Sequence, residues 1–255
     1  MSDRLNLALQ VVEEVGEFVK KNQSNITSIN EKKSNIDLVT DVDQKSQQLI
    51  EERLKKAFPH DLVWGEESGF PLTDFSSTWV IDPIDGTSNF VHQIPLYSIS
   101  IAYFKDGVPI MGVIGSPNLG EVIWAEDKQG AFLNGKPVSV SSVSQYQRAI
   151  FGMGIPHQQP EWETFFPVYS RLPLDCQAVR SLGSAALGVA YVGCGRIEGY
   201  LQVGISFYDV AAGVCIVREA GGRVLTWEGK EWDRESRTIV VVNRELEKSL
   251  FERYF

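Results

Sequence analysis

Apolar residues recur at helical spacing near the start of the chain. Steps of three and four residues predict an amphipathic helix that begins near Leu5 and ends between Lys20 and Asn22. The same spacing predicts a second helix that ends at Pro59. The polar stretch 23–36 between these helices predicts a mobile loop.

The middle of the chain has the pattern of strands. Three apolar-rich runs, 98–104, 108–114 and 121–125, are separated by short polar segments that contain Gly, Pro or Asn. Asn134-Gly135 is a typical two-residue hairpin turn. Consecutive hairpins of this kind predict an antiparallel sheet.

Predicted strands and helices alternate after a Ser- and Gln-rich segment around residues 141–148. In chain order they cover 149–153, 161–171, 180–192, 199–203, 207–222, 224–225, 238–242 and 245–255. We therefore expect a mixed α/β (α+β) fold in a single domain, 1–255. Within it we expect an N-terminal lobe of about 1–145 and a C-terminal lobe of about 146–255.

Charge and composition argue against several classes of function. The chain has 255 residues, of which 43% are apolar and 22% are charged, and a formal net charge of −9. Nucleic acids and anionic membranes bind clustered Lys and Arg, so neither is an expected partner. Three widely spaced cysteines support neither a disulfide framework nor a zinc cluster. Because no signal peptide or long apolar run is visible, we expect a cytoplasmic protein.

The segment 79–90 carries the strongest indication of chemistry. Three strand-forming residues lead into Asp82, and Pro83 cannot continue a ladder, so we expect the strand to end at Asp82. Asp85 follows within the same turn. Carboxylate and backbone carbonyl oxygens at such a strand end are suitable ligands for magnesium.

A short helix is predicted directly after this turn. Gly86 permits a tight turn, and Thr87 or Ser88 is a suitable N-cap. Backbone amides at a helix N-terminus attract an anion such as phosphate. Asp-Pro and Asp-Gly are also ordinary turn sequences, so a purely structural interpretation stays open.

Three further acids have both a structural and a functional interpretation. Glu66 follows the predicted strand 62–64, where acids usually form a solvated turn. Asp43 has capping-box spacing to Thr40. Asp209 lies in the first turn of a predicted helix, where the helix dipole favours an acid. Local sequence alone leaves both interpretations open for all three.

Several carboxylates in one crevice are costly without cations. Two like charges in close contact repel by roughly 4 kcal/mol at an effective dielectric near 20. Divalent cations remove this repulsion, and an oxygen-only set of ligands favours magnesium over zinc. Two such ions can bind both the attacking water and the leaving oxygen of a phosphate ester. The acids are therefore compatible with a two-metal site for displacement at a phosphate ester.

These segments resemble the inositol monophosphatase family of magnesium-dependent, lithium-sensitive phosphatases. The resemblance rests on residues 65–68, 79–90 and 208–213, with 37–43 as a further match, and spans nearly the whole chain. It implies a layered α-β-α-β-α sandwich that is usually a homodimer. It also implies two to three Mg²⁺ ions per site and hydrolysis of a small phosphate ester such as inositol 1-phosphate.

The resemblance implies roles for individual residues. The implied magnesium ligands are Glu66, Asp82, the carbonyl of Ile84, Asp85 and Asp209. The implied water-activating residues are Thr87, Asp43 and Glu66. Substrate contacts are expected from Gly86, Thr87, Ser88, Ser184, Gln202 and Asp209. Lys32 is expected in the mobile loop that approaches the metals.

Gln202 departs from the family pattern. Many inositol-hydrolysing members carry a Glu at this position, where it hydrogen-bonds the ring hydroxyls of the substrate. An amide still donates and accepts hydrogen bonds but has no charge. A preference for the 2'-phosphate of NADP, fructose 1,6-bisphosphate or 3'-phosphoadenosine 5'-phosphate is therefore an alternative within the family.

Two alternatives come from other classes of protein. Haloacid-dehalogenase phosphatases carry a D-x-D-G-T motif near an N-terminus and form an aspartyl-phosphate, whereas here Pro83 and Ile84 both separate the two acids. A non-catalytic binding protein on the same fold is the second alternative. The intact set of acids favours an enzyme.

Overall fold

The computed structural model describes residues 1–31, 38–68 and 72–255. Helices in these ranges are α1 Asp3–Asn22, α2 Asp41–Ala57, α3 Thr87–Val91, α4 Gln159–Tyr169, α5 Leu172–Asp175, α6 Ala185–Gly193, α7 Phe207–Glu219 and α8 Arg244–Tyr254. Strands are β1 Ile29–Glu31, β2 Leu38–Thr40, β3 Leu62–Gly65, β4 Ser77–Asp85, β5 Ser98–Lys105, β6 Val108–Ser116, β7 Glu121–Glu126, β8 Ala131–Leu133, β9 Lys136–Val138, β10 Ile150–Met153, β11 Ala178–Arg180, β12 Gly199–Val203, β13 Arg223–Leu225 and β14 Thr238–Val242.

Two large sheets come from different halves of the chain. The first has seven strands in the order β3-β4-β5-β6-β7-β8-β9. All its neighbours are antiparallel except the parallel pair β3 and β4, so the predicted hairpins are confirmed. The second sheet has five strands in the order β11-β10-β12-β14-β13 and is mixed.

Helices cover both sheets and also fill the space between them. Helices α1 and α2 bury apolar residues such as Leu5 and Leu54 against one face of the seven-stranded sheet. Helices α6 and α7 lie between the two sheets, where Ala212 and Ile216 are fully buried. Helices α4, α5 and α8 cover the outer face of the five-stranded sheet. These layers are α-β-α-β-α, which confirms the predicted fold class.

The start of the chain differs from the prediction in one place. Residues 23–36 were expected to form a loop, yet Ile29–Glu31 pairs as an antiparallel strand with Leu38–Thr40. Strands of three residues are too short to give a clear alternating pattern, which explains the error. Lys32 and the rest of the predicted loop, 32–36, lie outside the described residues.

Strand β4 also differs from the prediction, because it does not end at Asp82. It continues through Pro83 to Asp85, with a break in register between Asp82 and Asp85. Proline is tolerated in a strand at a bulge, where its missing N–H is not needed by the ladder. The bulge therefore allows one strand to carry both acids.

The described residues contain no helix that is long and apolar enough to cross a membrane. All three cysteines are free thiols.

Gly112 allows helix α7 to approach the seven-stranded sheet at backbone distance. A Cβ atom on Gly112 would lie 2.2 Å from the carbonyl oxygen of Ala212. We expect Gly112→Ala to lower the free energy of unfolding by about 2–3 kcal/mol, because the overpacking forces α7 away from β6. Urea unfolding followed by circular dichroism measures this change.

Gly16→Ala is the matched control. Gly16 lies in α1, where the nearest atom to an added Cβ is Pro117 Cβ at 3.2 Å, and alanine favours a helix by about 1 kcal/mol. We expect Gly16→Ala to be nearly neutral or stabilising. Equal losses in both variants would contradict the close approach of α7.

Candidate active site

A cleft of about 450 Å³ opens where the carboxyl end of β4 meets helices α6 and α7. Its wall brings together ten residues that the sequence analysis singled out: Glu66, Asp82, Ile84, Asp85, Gly86, Thr87, Ser88, Ser184, Gln202 and Asp209. Asp43 reaches the same place through a hydrogen bond to Thr87.

The bulge in β4 allows Asp82 and Asp85, two acids of one strand, to line the cleft together. Asp82 pairs with Ser100 in the ladder and Asp85 pairs with Ser98. Asp82 is 2% exposed, and its Oδ1 accepts a hydrogen bond from the backbone N–H of Ile84 at 3.1 Å. The bulge thus holds both carboxylates in fixed positions at the base of the cleft.

Glu66 is held by side chains that support the loop after β3. The backbone N–H of Glu66 donates to the carbonyl of Ile81 at 3.1 Å. Gln47 of α2 accepts the N–H of Glu67 at 2.9 Å and donates to Ser68 Oγ at 3.3 Å. Since Gln47 is buried, α2 fixes the path of the chain on which Glu66 stands.

Asp43 serves a helix cap and the cleft at the same time. Its Oδ2 accepts the backbone N–H of Thr40 at 2.9 Å, which completes the predicted capping box of α2. Its Oδ1 accepts the hydroxyl of Thr87 at 3.1 Å. The two interpretations of Asp43 are therefore compatible, because each uses a different oxygen.

Thr87 does not cap the short helix α3, as the sequence suggested it or Ser88 would. Gly86 occupies the N-cap position with φ of 93°, a conformation that favours glycine. The Thr87 hydroxyl instead faces Asp43 Oδ1 and the Ile84 carbonyl, each at 3.1 Å. Thr87 is therefore the first helical residue, and no side chain caps this helix.

Asp85 links β4 to the start of α6. Its carboxylate accepts the backbone N–H groups of Ala185 at 3.2 Å and Ala186 at 3.0 Å, and the hydroxyls of Ser98 and Ser184. Burial of the carboxyl raises its pKa to about 6, although these hydrogen bonds oppose the rise. In this structure Ser184 supports Asp85, and its hydroxyl is also the N-cap of α6.

The acids of the cleft affect the pKa values of two nearby tyrosines, Tyr208 and Tyr200. Burial raises the pKa of Tyr208, and the charges of Glu66, Asp209 and Asp82 raise it further. Burial also raises the pKa of Tyr200, with added effects from Asp85 and Asp209. Tyr208 therefore lies near the acid that follows β3, an acid of β4 and the acid that begins α7.

Asp209 also has a structural role. It stands in the first turn of α7, where its Oδ2 accepts the backbone N–H of Ser206 at 3.1 Å and completes a capping box. The structural interpretation from the sequence is thus present, and the same side chain lines the cleft.

The donor atoms of the cleft fit a hard divalent cation. Four carboxylates and the Ile84 carbonyl supply oxygen alone, the set that magnesium prefers. Within the described ranges, no group of three or more Asp, Glu, His or Cys side chains lies close enough together to hold a metal ion as the side chains stand.

Some residues of the cleft carried no signal that the sequence analysis used. Tyr200 lies behind Gln202, while Glu161 of α4 and Arg237 stand at the rim. None belongs to a recognisable motif, and the pairing of β12 with β14 is what brings Arg237 to this wall.

The layered fold and the acid-lined cleft define a phosphatase, a hydrolase of phosphate esters. The model of the inositol monophosphatase family matches residues 1–254, and the chain belongs to this family. The family uses divalent metal ions.

Individual relatives agree with this assignment. The fructose-1,6-bisphosphatase/inositol-1-monophosphatase of Thermotoga maritima is 35% identical over 242 residues, which cover 94% of this chain and 91% of that protein. The inositol monophosphatase of Dictyostelium discoideum is 36% identical over 260 residues, which cover 98% and 95%. The crystal structure of extragenic suppressor protein suhB from Bartonella henselae has a TM-score of 0.93 at 30% identity and covers 98% of both chains.

The raised pKa of Asp85 predicts how pH changes the stability of the metal-free protein. The pKa of Asp85 is about 6 in the folded protein, and its ordinary value is 3.8. Between pH 3.8 and pH 6 the folded state therefore binds this proton more tightly than the unfolded state does. Unfolding then costs more free energy as pH falls through this window. We expect the contribution of Asp85 to the free energy of unfolding to increase by about 2 kcal/mol as the pH is lowered from 7 to 4.5.

Urea unfolding in EDTA at several pH values measures this contribution, with Asp85→Asn as the reference. The asparagine variant has no carboxyl at this position, so the difference between the two proteins should change with pH as stated. A constant difference across the window would show that Asp85 has its ordinary pKa in the folded protein.

Proposed function

We propose that this protein is a magnesium-dependent phosphomonoesterase that hydrolyses a small phosphate ester resembling inositol 1-phosphate. The observation that carries the proposal is the convergence of Glu66, Asp82, Asp85 and Asp209 on one cleft, beside the Thr87–Asp43 hydrogen bond. Membership in the inositol monophosphatase family supports the same activity.

The acids would hold two to three magnesium ions. The proposed ligands are Glu66, Asp82, the Ile84 carbonyl, Asp85 and Asp209. When bound, magnesium supplies positive charge that polarises the phosphate and favours deprotonation of the attacking water. Burial of Asp82 and Asp85 supports this assignment, because a buried carboxylate gains from a cation that replaces its lost hydration.

Thr87 would orient the water. Its hydroxyl donates its single proton towards Asp43 Oδ1 or the Ile84 carbonyl, each at 3.1 Å, which leaves its lone pairs to accept a hydrogen bond. A water held at Thr87 Oγ in this way points an oxygen lone pair away from Thr87. Glu66, on the same wall, would accept the proton of the water as general base.

The phosphate would lie at the turn that precedes α3. Gly86, with no side chain, and the backbone of Thr87 and Ser88 border the cleft at this point. Attack forms a bond between phosphorus and the water oxygen, and the bond between phosphorus and the ester oxygen breaks. The leaving alkoxide takes up a proton, so the products are an alcohol and inorganic phosphate.

Phosphate release from inositol 1-phosphate tests the activity. We expect release that requires magnesium and stops in EDTA. We expect Thr87→Ala to lower kcat by about 100-fold or more, because the water is no longer oriented for attack and for proton transfer to Glu66.

Thr73→Ala is the matched control, since Thr73 is exposed outside this cleft. It should retain wild-type kcat, and the thermal unfolding of both variants should match the wild type. A Thr87→Ala enzyme within about threefold of wild-type kcat would contradict the assigned role of Thr87.

Gln202 governs the finer choice of substrate in this proposal. Its Oε1 accepts the hydroxyl of Tyr200, and its side chain lies against Gly154, where an added Cβ would come within 2.0 Å of Oε1. The remaining polar atoms of Gln202 are therefore the N–H donors of its amide. A hydrogen bond from this neutral amide to a substrate oxygen is weaker than a hydrogen bond from a ring hydroxyl to a carboxylate.

We expect Gln202→Glu to raise kcat/KM for inositol 1-phosphate by about 3- to 10-fold, because a charged acceptor strengthens the hydrogen bond to a substrate hydroxyl. Steady-state kinetics on this substrate measure the gain. The exposed Gln129→Glu supplies the same change of charge away from the cleft and should have no effect. No gain in the Gln202 variant would show that position 202 does not select for inositol.

Other properties stay predictions that follow from the family. We expect a homodimer, inhibition by lithium and a cytoplasmic location. The two-lobed division at about residue 145 also stays a prediction, although the seven-stranded sheet ends at Val138 and the five-stranded sheet begins at Ile150.

A further inference from the structure

Helix α2 supports the cleft through two buried polar side chains on one of its faces. Asp43 and Gln47 are four residues apart, a spacing that places side chains on the same side of a helix, and both are buried. Asp43 Oδ1 accepts the hydroxyl of Thr87 at 3.1 Å. Gln47 contacts the loop that carries Glu66. One turn of α2 therefore holds both segments that the proposed function assigns to the attacking water.

Glu66 is a central residue of a tight turn. The backbone N–H of Ser68 donates to the carbonyl of Gly65 at 2.9 Å, which closes a four-residue β-turn with Glu66 and Glu67 in the middle. The hydroxyl oxygen of Ser68 also accepts the backbone N–H of Gly65 at 2.9 Å. The position of the Glu66 backbone is thus set by whatever holds this turn.

The amide of Gln47 holds the turn at two points. Its Oε1 accepts the backbone N–H of Glu67 at 2.9 Å, and its Nε2 donates to Ser68 Oγ at 3.3 Å. Gly65 permits this close approach, because a Cβ atom there would lie 2.4 Å from Gln47 Oε1. Amide and turn are therefore in direct contact, and a shift of one displaces the other.

A neighbouring acid fixes the orientation of the Gln47 amide. Nε2 of Gln47 also donates to Oε1 of Glu51 at 2.9 Å, and Glu51 pairs with Lys55 at 2.6 Å. The nitrogen end of the amide consequently faces Glu51, and the oxygen end faces the N–H of Glu67. A neutral amide supplies both a donor and an acceptor here without adding negative charge beside the acids of the turn.

We propose that Gln47 is a positioning residue that sets Glu66 relative to Thr87, so that both act on the same water. Asp43 holds Thr87 and Gln47 holds the turn of Glu66, and the helical step between Asp43 and Gln47 fixes their spacing. The inference rests on the proposed phosphatase activity. It adds to that activity a side chain that does not itself line the cleft.

The decisive variant is Gln47→Met, which keeps an unbranched side chain and removes both hydrogen bonds to the turn. We expect kcat on inositol 1-phosphate to fall by about 10- to 100-fold, because small misplacements of reacting groups cost this much. KM should change by less than about threefold, since the turn 86–88 that borders the proposed phosphate position lies on a different element. Steady-state kinetics at saturating magnesium measure both constants.

Magnesium affinity supplies a second measurement that needs no substrate. Glu66 is a proposed magnesium ligand, and loss of a group that orients a ligand typically weakens metal binding by about 10- to 100-fold. Isothermal titration of Mg²⁺ into the protein should show a loss of this size in Gln47→Met. Thermal unfolding in EDTA measures any structural loss separately.

Gln48→Met is the matched control. Gln48 lies on the exposed side of α2 and donates to Glu52 Oε1 at 2.9 Å, so this variant loses the same kind of bond within the helix. It should retain the wild-type kcat and magnesium affinity. Gln47→Glu keeps an acceptor for the N–H of Glu67 and loses the donor, so we expect its kcat to fall by about 3- to 10-fold, less than in Gln47→Met.

The proposal is overturned if Gln47→Met, at a temperature where it is folded, matches Gln48→Met in kcat and in magnesium affinity. Gln47 would then only stabilise the fold. If Gln47→Met does not fold, Gln47→Glu decides the matter, and a kcat equal to that of the wild type overturns the proposal. A wild-type protein that releases no phosphate would contradict the phosphatase assignment instead, and the magnesium titrations would still test the role of Gln47.

Discussion

Repulsion among buried carboxylates is the constraint on which the cleft depends. Asp82 and Asp85 lie on β4, Glu66 follows β3 and Asp209 begins α7, so three separate elements must hold like charges near one another. Backbone amides compensate in part: Asp85 accepts from Ala185 and Ala186, and Asp209 from Ser206. Burial still raises the pKa of Asp85 to about 6 against these hydrogen bonds, so the amides do not fully replace the hydration that the carboxylate has lost. A divalent cation would supply the remainder.

The same acids also fasten the parts of the fold to one another. Asp85 joins β4 of the seven-stranded sheet to α6 from the other half of the chain. Asn89 strengthens this junction, because its Nδ2 donates to the carbonyl of Leu182 at 2.8 Å. Single side chains of the cleft consequently stabilise the fold and also line the proposed active site. A substitution there is expected to change stability as well as activity.

Periodic patterns predicted the helices and the antiparallel hairpins, since those depend on local alternation and turns, whereas the layered sandwich was implied by the resemblance to the family. The choice between cap and functional residue at Asp43 did not follow from the sequence, because one carboxylate has two oxygens and uses them separately. Pro83 was taken as the end of a strand, yet a bulge lets β4 continue to Asp85. Arg237 was missed because a ladder between distant segments places it.

The cleft has two parts that are formed in different ways. Local motifs form its base, and the pairing of distant strands forms its rim. The residues proposed for chemistry lie in recognisable local motifs at the ends of β3 and β4 and the start of α7, where turn and cap rules apply. The rim is built by the edge of β12 and β14, where register alone brings Gln202 and Arg237 together. Substitutions at the rim can therefore alter which ester is bound without disturbing the bulge in β4. Differences in substrate among related chains are accordingly expected at the rim more than at the base.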